Sequence, residues 1–132
     1  MGRLQILFVE NDLNIRERMQ RVLEPGFTVE CVASITEAKS SLDTSVPDIL
    51  ISEVVVGLEN GLDLCQYVRS VPAFRLLPIM LLTSLATVQD KVAGFTAGTD
   101  DYVVKPCDVH HLVARIRLLS RIKRLERHIA MI

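Results

Sequence analysis

The sequence has no long hydrophobic run, few cysteines and no nucleotide-binding or nucleophile motif. No apolar stretch approaches the roughly 18 residues of a membrane-spanning helix, which disfavours a membrane protein. The opening Met1-Gly2-Arg3-Leu4 lacks the charged-then-apolar plan of a secretory signal peptide. Cys31, Cys65 and Cys107 are widely spaced and odd in number, so we expect reduced, mostly buried thiols and a cytoplasmic location. The absence of a glycine-rich nucleotide loop and of a nucleophile elbow argues against those enzyme classes.

Length and composition fit one globular domain with a substantial hydrophobic core. The chain has 132 residues, of which 49% are hydrophobic and 23% charged. Its net charge of -1 is unevenly distributed. Residues 1–114 hold nine basic and fifteen acidic side chains, whereas residues 115–132 hold six basic ones and a single acid, Glu126. We therefore expect an acidic body and a basic tail.

Apolar strand patterns alternate with helical patterns along the chain. Strands are predicted at 4–9, 27–32, 47–53, 78–82 and 101–104. Helices are predicted at about 12–24, 34–42, 62–70, 87–98 and from 108 to the end. Asp12 and Asp108 are the expected caps of the first and last helices, and capping boxes are expected to begin at Ser34 and Thr87. Five successive βα units require a parallel sheet with helices on both faces. The prediction is an α/β fold, a doubly wound five-stranded parallel sheet with an extended C-terminal helix.

An acid, Glu53, closes the third apolar strand. In an open α/β sheet, ligands bind beyond the carboxyl ends of the strands, so Glu53 is a candidate nucleophile, metal ligand or charge partner. If the strand order is 2-1-3-4-5, one small pocket is lined by five polar side chains, Glu10, Asn11, Glu53, Thr83 and Lys105. Lysine neutralises a phosphate, threonine donates a hydrogen bond and carboxylates hold a hard cation. The set therefore favours phosphate or metal chemistry.

Several motifs occur in order along nearly the whole chain. They are Ile6-Leu7-Phe8-Val9-Glu10, Pro47-Asp48-Ile49-Leu50-Ile51, Gly61, Pro78-Ile79-Met80-Leu81-Leu82-Thr83-Ser84 and Gly98-Thr99-Asp100-Asp101-Tyr102-Val103-Val104-Lys105-Pro106. Together they resemble the receiver domain of two-component response regulators, over roughly residues 3–120. The resemblance implies a flavodoxin-like fold with strand order 2-1-3-4-5. It also divides the chain into a receiver domain, 1–120, and a helical extension, 121–132.

The resemblance implies a phosphorylation site at Glu53. Receivers accept a phosphoryl group from a histidine kinase onto an acid at the end of the third strand, assisted by Mg²⁺. The metal positions correspond to Glu10, Asn11, Glu53 and the backbone carbonyl of Val55. We do not expect a receiver of this kind to be an enzyme. At most, it would phosphorylate itself weakly from small phosphodonors.

The remaining site positions are also implied by the resemblance. Thr83 and Lys105 match the residues that bind the phosphoryl oxygens. Tyr102 matches an aromatic residue that changes orientation, so Thr83 and Tyr102 form the expected switch. A fixed, half-buried tyrosine and an ordinary strand-end hydroxyl are the structural alternatives for these two residues.

Three departures from the family pattern alter this expectation. Glu53 replaces the usual aspartate, and its extra methylene moves the carboxylate about 1.5 Å into the space of an incoming phosphoryl group. A displacement of this size disrupts the geometry that attack on the phosphoryl group requires. Asn11 replaces a second aspartate and removes a charge that Mg²⁺ prefers. The loop after the third strand lacks the usual Met-Pro pair, and we interpret Asp12 as a helix cap rather than a substitute ligand. We expect weak Mg²⁺ binding at best, no normal phosphorylation, and a charge pair between Glu53 and Lys105.

The C-terminal helix carries an apolar seam and many basic residues. Residues at heptad spacing form the seam: Leu118, Ile122, Leu125, Ile129 and Ile132. We expect either that the helix leads into an output domain absent from this chain, or that it forms a dimerising coiled coil. The basic residues are also compatible with a nucleic-acid-binding surface. Because no aromatic residues accompany them, we favour the alternative that they are solvent-exposed side chains on either side of the seam. His110, His111 and His128 have no metal-ligand companions.

Three functions follow in order of preference. The first is an atypical receiver that is not phosphorylated and acts by binding a histidine kinase, another signalling protein or its own output domain. The second is a working Mg²⁺-dependent phosphoacceptor that controls an output domain. The third is a nucleic-acid-binding adaptor that uses the basic tail.

Overall fold

Residues 2–130, the part of the chain that the computed structural model describes, form seven strands and five α-helices. The strands are β1 (Gln5–Val9), β2 (Thr28–Val32), β3 (Ile49–Ser52), β4 (Val55–Val56), β5 (Glu59–Asn60), β6 (Ile79–Thr83) and β7 (Asp101–Val104). The helices are α1 (Leu13–Leu23), α2 (Ile35–Thr44), α3 (Gly61–Ser70), α4 (Val88–Ala97) and α5 (Val109–Ala130), with a 3₁₀ turn at Pro72–Phe74.

The main sheet has five parallel strands in the order β2-β1-β3-β6-β7. Because β6 and β7 are the fourth and fifth predicted strands, the predicted order and doubly wound fold are confirmed. The inner strands β3 and β6 are buried at every position, which explains their unbroken apolar sequences. Successive side chains of each strand point to opposite faces, so Leu50 and Ile51 enter separate cores.

Helix starts follow the predicted capping residues, with one correction. Asp12 accepts a hydrogen bond from the Ile15 amide at 3.1 Å, and Thr87 forms a reciprocal capping box with Asp90. The box predicted at Ser34 is only half formed. The Ser34 hydroxyl accepts from the Glu37 amide, but the Glu37 carboxylate accepts from the Ala33 amide, one residue before the cap.

The loop expected after β3 instead contains a short antiparallel hairpin, β4–β5. Its turn passes through Gly57 at φ 64, a left-handed conformation that favours glycine. The Glu59 carboxylate accepts from the Ile35 amide at 3.0 Å, which ties the hairpin to the start of α2. Two-residue strands carry too little periodicity to be predicted from sequence.

Helix α5 is continuous for 22 residues and has two parts. Its first part packs on the sheet through Leu112, Ile116 and Leu119. Its second part extends past the body, and Leu125 and Ile129 are 63% and 69% exposed. The boundary at residue 120 stays a prediction, and the last predicted seam position, Ile132, lies outside the described residues. None of the helices described for residues 2–130 has the length and apolar character needed to span a membrane.

Candidate functional site

Lys105 lies between two carboxylates at the carboxyl edge of the sheet. Its Nζ is 3.0 Å from Glu53 Oε2 and 3.3 Å from Glu10 Oε1. Both acids are nearly inaccessible, with Glu10 4% and Glu53 9% exposed. Each has a second partner, because Glu10 Oε2 accepts from the Asp12 amide at 3.1 Å and Glu53 Oε1 accepts from the Val54 amide at 2.9 Å. The three side chains form one Glu10–Lys105–Glu53 cluster.

The parallel sheet brings these residues together from distant parts of the sequence. Glu10 and Glu53 directly follow the adjacent strands β1 and β3, and the Glu53 amide donates to the Val9 carbonyl at 3.0 Å. The Lys105 amide donates to the Thr83 carbonyl at 2.8 Å, which continues the pairing of β6 and β7 by one residue. The burial of opposite charges is tolerated because each is paired and hydrogen-bonded.

Glycine is required where α3 begins beside Glu53. A Cβ added at Gly61 would collide with the Glu53 carbonyl oxygen and approach Ser52 Oγ to 3.1 Å. The Gly61 amide also donates to the Val54 carbonyl at 2.7 Å. The close approach of α3 therefore fixes the backbone that carries the Glu53 side chain.

Asn11 is directed away from the cluster. It is exposed, and its Nδ2 donates a long hydrogen bond of 3.4 Å to the Ala33 carbonyl. On its other side lies the hairpin turn, where a Cβ added at Gly57 would come within 3.2 Å of Asn11 Nδ2. The structure thus brings Glu10, Glu53 and Lys105 into contact but turns Asn11 toward the β2–α2 loop.

Arg16 is a site residue that the sequence analysis missed. Its Nη1 donates to the backbone carbonyls of Glu10 and Asn11, each at 2.8 Å. These bonds fix the loop between β1 and α1 in which both predicted metal positions lie. In the sequence Arg16 is only one of several charged residues on α1, so no pattern marked it.

The donor set of the cluster fits Mg²⁺ poorly. The ammonium group of Lys105 already contacts both carboxylates, and the amide of Asn11 is bonded elsewhere. Within residues 2–130, no group of three or more histidine, cysteine or acidic side chains is arranged to hold a metal ion. Val55, the expected carbonyl ligand, belongs to β4 and pairs with Asn60. Mg²⁺ prefers several oxygen ligands in near-octahedral geometry, which these residues do not supply as arranged.

Thr83 and Tyr102 meet at Leu85 rather than at the cluster. The buried Thr83 Oγ1 accepts from the Leu85 amide at 3.3 Å. The Tyr102 hydroxyl donates to the Leu85 carbonyl at 2.8 Å. No hydrogen bond links the Thr83 side chain to Glu53 or Lys105 in the described residues. The two predicted switch residues therefore share the loop between β6 and α4.

The ring of Tyr102 is buried under α4. A Cβ added at Gly94 would lie only 2.8 Å from Tyr102 Cδ2, so glycine makes room for the ring. The Phe95 ring lies 6.5 Å away between centroids. Burial raises the pKa of the Tyr102 hydroxyl, and the nearby charges of Asp90 and Glu53 raise it further. The group therefore stays a neutral hydrogen-bond donor.

Two basic residues of α5 are paired with acids of the body. Arg115 forms a bidentate pair with Asp101, at 2.9 and 2.7 Å. Lys123 Nζ lies 2.8 Å from Asp100, which also pairs with Arg69 at 2.8 Å. Part of the tail's positive charge is thus neutralised internally.

Comparisons with known proteins agree on one family. The sequence model described as response regulator receiver domain matches residues 6–117. The response regulator MprA of Mycobacterium ulcerans is 38% identical over 124 residues, which cover 93% of this chain and 53% of that protein. MprA of Mycobacterium avium is 37% identical over 119 residues, covering 89% of this chain and 51% of that protein. The chain thus spans about half the length of these curated relatives.

Solved structures give the same result. The receiver domain of a signal transduction histidine kinase from Syntrophus aciditrophicus has a TM-score of 0.82 and 32% identity, covering 89% of this chain and 90% of that one. A CheY-like receiver domain protein from Methanospirillum hungatei JF-1 has a TM-score of 0.86 at 21% identity, and the match covers 95% of this chain and 99% of that one. At this identity the similarity shows the fold alone. With most of its length matched by the family model, this chain belongs to the response regulator receiver domain family.

Proposed function

We propose that this chain is an atypical receiver that signals by binding other proteins and does not undergo normal phosphorylation. The observation that carries the proposal is the ion pair between Glu53 and Lys105, 3.0 Å long and almost buried. Glu53 occupies the phosphoacceptor position, so the acceptor carboxylate is already bound to the lysine that should bind an incoming phosphoryl group.

The geometry of Glu53 disfavours nucleophilic attack. Oε2 is bound to Lys105 and Oε1 to the Val54 amide, so both oxygens carry a partner that draws charge from them and lowers their nucleophilicity. The longer side chain also takes up space that an in-line phosphoryl group needs, and small displacements cost heavily in such reactions. The poor donor set for Mg²⁺ acts in the same direction, because the metal would neutralise charge on the phosphoryl oxygens.

Glu53 supplies part of the charge that a phosphoryl group would bring. A phosphoryl group carries about two negative charges and Glu53 carries one, so the mimicry is partial. Its contact with Lys105, together with the buried Tyr102 hydroxyl on Leu85, supports a fixed, active-like domain. We propose that Thr83 and Tyr102 act here as a permanent brace of the β6–α4 loop.

The proposed partners are a histidine kinase or another signalling protein, and an output domain linked after α5. The similarity to MprA, of which this chain covers about half, supports the output domain. Helix α4 offers an exposed apolar strip for such contacts, with Val88, Val92 and Phe95 71%, 57% and 51% exposed. We also propose that the extended part of α5 pairs with a second copy of the chain. A cytoplasmic location stays a prediction.

Incubation with acetyl phosphate and Mg²⁺, followed by intact mass measurement, tests the proposal. The wild-type chain should show no added phosphoryl mass, and the variant Asn11→Asp/Glu53→Asp, which restores both family acids, should show it. A stable phosphoryl adduct on the wild-type chain, lost in Glu53→Gln, would overturn the proposal in favour of a working phosphoacceptor.

A nucleic-acid-binding function has less support, since Arg115 and Lys123 are paired with acids of the body. It would be revived if the chain bound random duplex DNA with an affinity that fell steeply with salt concentration.

A further inference from the structure

An apolar groove of about 390 Å³ lies between α1 and the segment that joins β7 to α5. Leu82 and Leu112 are its most deeply buried lining residues, and each is 3% exposed. The walls are formed by Ile15, Met19 and Val22 of α1 and by Pro106, Cys107 and Val109 on the other side. Binding sites for small molecules are mostly apolar and enclose roughly 300–1,000 Å³. The groove therefore has the size and the lining of a small-molecule site.

Two cationic side chains, Arg18 and Lys105, line the groove together with these apolar residues, and no acidic side chain does. Arg18 is exposed and forms no ion pair within residues 2–130. Lys105 has three N–H donors, of which Glu53 and Glu10 take two, so one donor remains for a ligand. The planar guanidinium group of an arginine matches the two oxygens of a carboxylate. The groove thus complements an apolar molecule that carries a negative charge.

The residues around the groove narrow the chemistry of this ligand further. Glu10 and Glu53 are two acids held by the single ammonium group of Lys105, so one negative charge is in excess beside the groove. That excess repels a doubly charged phosphate more strongly than a carboxylate. The thioether of Met19 favours an aromatic ring, because sulfur makes favourable contacts with ring edges. An aromatic carboxylate satisfies both conditions.

We propose that the groove between α1 and α5 binds a small aromatic carboxylic acid, with its ring against the apolar walls and its carboxylate on Arg18 and the remaining N–H of Lys105. The ligand would share the Lys105 ammonium with Glu53, which lies 3.0 Å from it, so binding changes the Glu53–Lys105 contact. This consequence rests on the proposed function, in which that contact takes the place of phosphorylation. The acid would then be a chemical input to a receiver that takes no phosphoryl group.

Titration of the full 132-residue chain with 2-naphthoate tests the site. Labelling with methyl-¹³C methionine gives nuclear magnetic resonance signals from four residues, Met1, Met19, Met80 and Met131. Because Met19 lines the groove, its methyl signal should shift in a saturable way as 2-naphthoate is added. No saturable shift of the Met19 signal would overturn the ligand site and leave the groove to a protein partner. A saturable shift of the Met131 signal alone would place the probe on the end of the chain and overturn the site as well.

The matched uncharged probe is 2-naphthamide, which has the same ring system and no carboxylate. It should bind the wild-type chain about 3- to 10-fold more weakly than 2-naphthoate, because it makes no ion pair with Arg18. Arg18→Gln should lower the affinity for 2-naphthoate to nearly that of the amide and leave the affinity for the amide unchanged. The control is Arg21→Gln, on another flank of α1, which should alter neither affinity. Both arginines are exposed, and circular dichroism checks that the variants stay folded.

The link to Glu53 has its own readout. The Val54 amide donates to Glu53 Oε1 at 2.9 Å, so its amide signal should also shift when 2-naphthoate saturates the Met19 signal. An unmoved Val54 signal at saturation would overturn the link, and equal wild-type affinities for acid and amide would overturn the assignment of a carboxylate. These titrations contain no phosphodonor, so their failure would leave the proposed function standing. A phosphoryl adduct on the wild-type chain would overturn the proposed function and leave the ligand site standing.

Discussion

The Lys105 ammonium lies 3.0 Å from the Glu53 carboxylate, and the same ammonium lies 3.3 Å from the Glu10 carboxylate. One lysine thus serves two nearly buried acids that follow adjacent strands. Removal of the lysine would leave two like charges at the same edge of the sheet, whereas removal of one acid would leave a simple pair. This asymmetry allows the role of each residue to be measured.

Lys105→Met should destabilise the domain by about 1–3 kcal/mol, because Glu10 and Glu53 lose their counterion in a poorly solvated site. The second substitution in Lys105→Met/Glu53→Gln should recover part of that loss, since only one charge remains. Urea unfolding gives both free energies, with Lys91→Met on the exposed face of α4 as the control. Equal costs for Lys105→Met and Lys91→Met would mean that the cluster contributes nothing to stability.

Asn11→Asp alone should not create a Mg²⁺ site. The new carboxylate would replace an amide donor that bonds the Ala33 carbonyl at 3.4 Å, and it would lie against the hairpin turn at Gly57. Lys105 would still hold both other acids. Isothermal titration calorimetry should detect binding only in Asn11→Asp/Glu53→Asp, where the shorter side chain loosens the contact with Lys105. Equally strong binding by the single variant would show that the side chain at position 11 turns into the cluster freely.

Sequence patterns sufficed for the main sheet because its strands are strongly apolar and separated by capped helices. The pairing of Glu53 with Lys105 was also predictable, because both residues end strands whose order the family resemblance implied. The orientation of Asn11 was not, since it depends on a hairpin of two-residue strands and on the Ala33 carbonyl across a loop. The hydrogen bonds of Thr83 and Tyr102 with the Leu85 backbone could not be predicted either. They join backbone groups of one residue to two side chains that are far apart from each other in sequence.

Gly94→Ala should destabilise the domain, although the same change in an ordinary exposed helix stabilises by up to about 1 kcal/mol. The added Cβ would lie 2.8 Å from the Tyr102 ring and 3.1 Å from Leu81, so the ring or the helix must shift, at a cost of about 1–3 kcal/mol. In a Tyr102→Ala background the same substitution should cost much less. The two differences form a double-mutant cycle, and thermal unfolding monitored by circular dichroism supplies the values. An absence of coupling would mean that the Tyr102 ring does not occupy the space next to Gly94 that an added Cβ would enter.

The stability of the domain should fall above pH 9, in part because of Cys65. This thiol is fully buried, and burial raises its pKa from 9.0 to about 12. In the unfolded chain the thiol loses its proton near pH 9, whereas in the folded domain it keeps the proton until about pH 12, so each added unit of pH in that interval favours unfolding. The stabilisation is complete below pH 9 and is lost progressively as the pH rises, with a slope that approaches 1.4 kcal/mol per pH unit.

Urea unfolding of wild type and Cys65→Ala between pH 8 and 10.5 measures this contribution. The variant should be less stable at pH 8, because the substitution leaves a small cavity, and its stability should fall less steeply with pH. Burial also raises the pKa of Cys31, Cys107 and Tyr102, so a shallower decline should remain in the variant. In the native wild type, a thiol-specific disulfide reagent at pH 8 should react with Cys31 and Cys107 before Cys65, which has no exposed surface. Parallel stability profiles for the two proteins would show that Cys65 titrates alike in the folded and unfolded chains, contrary to this account.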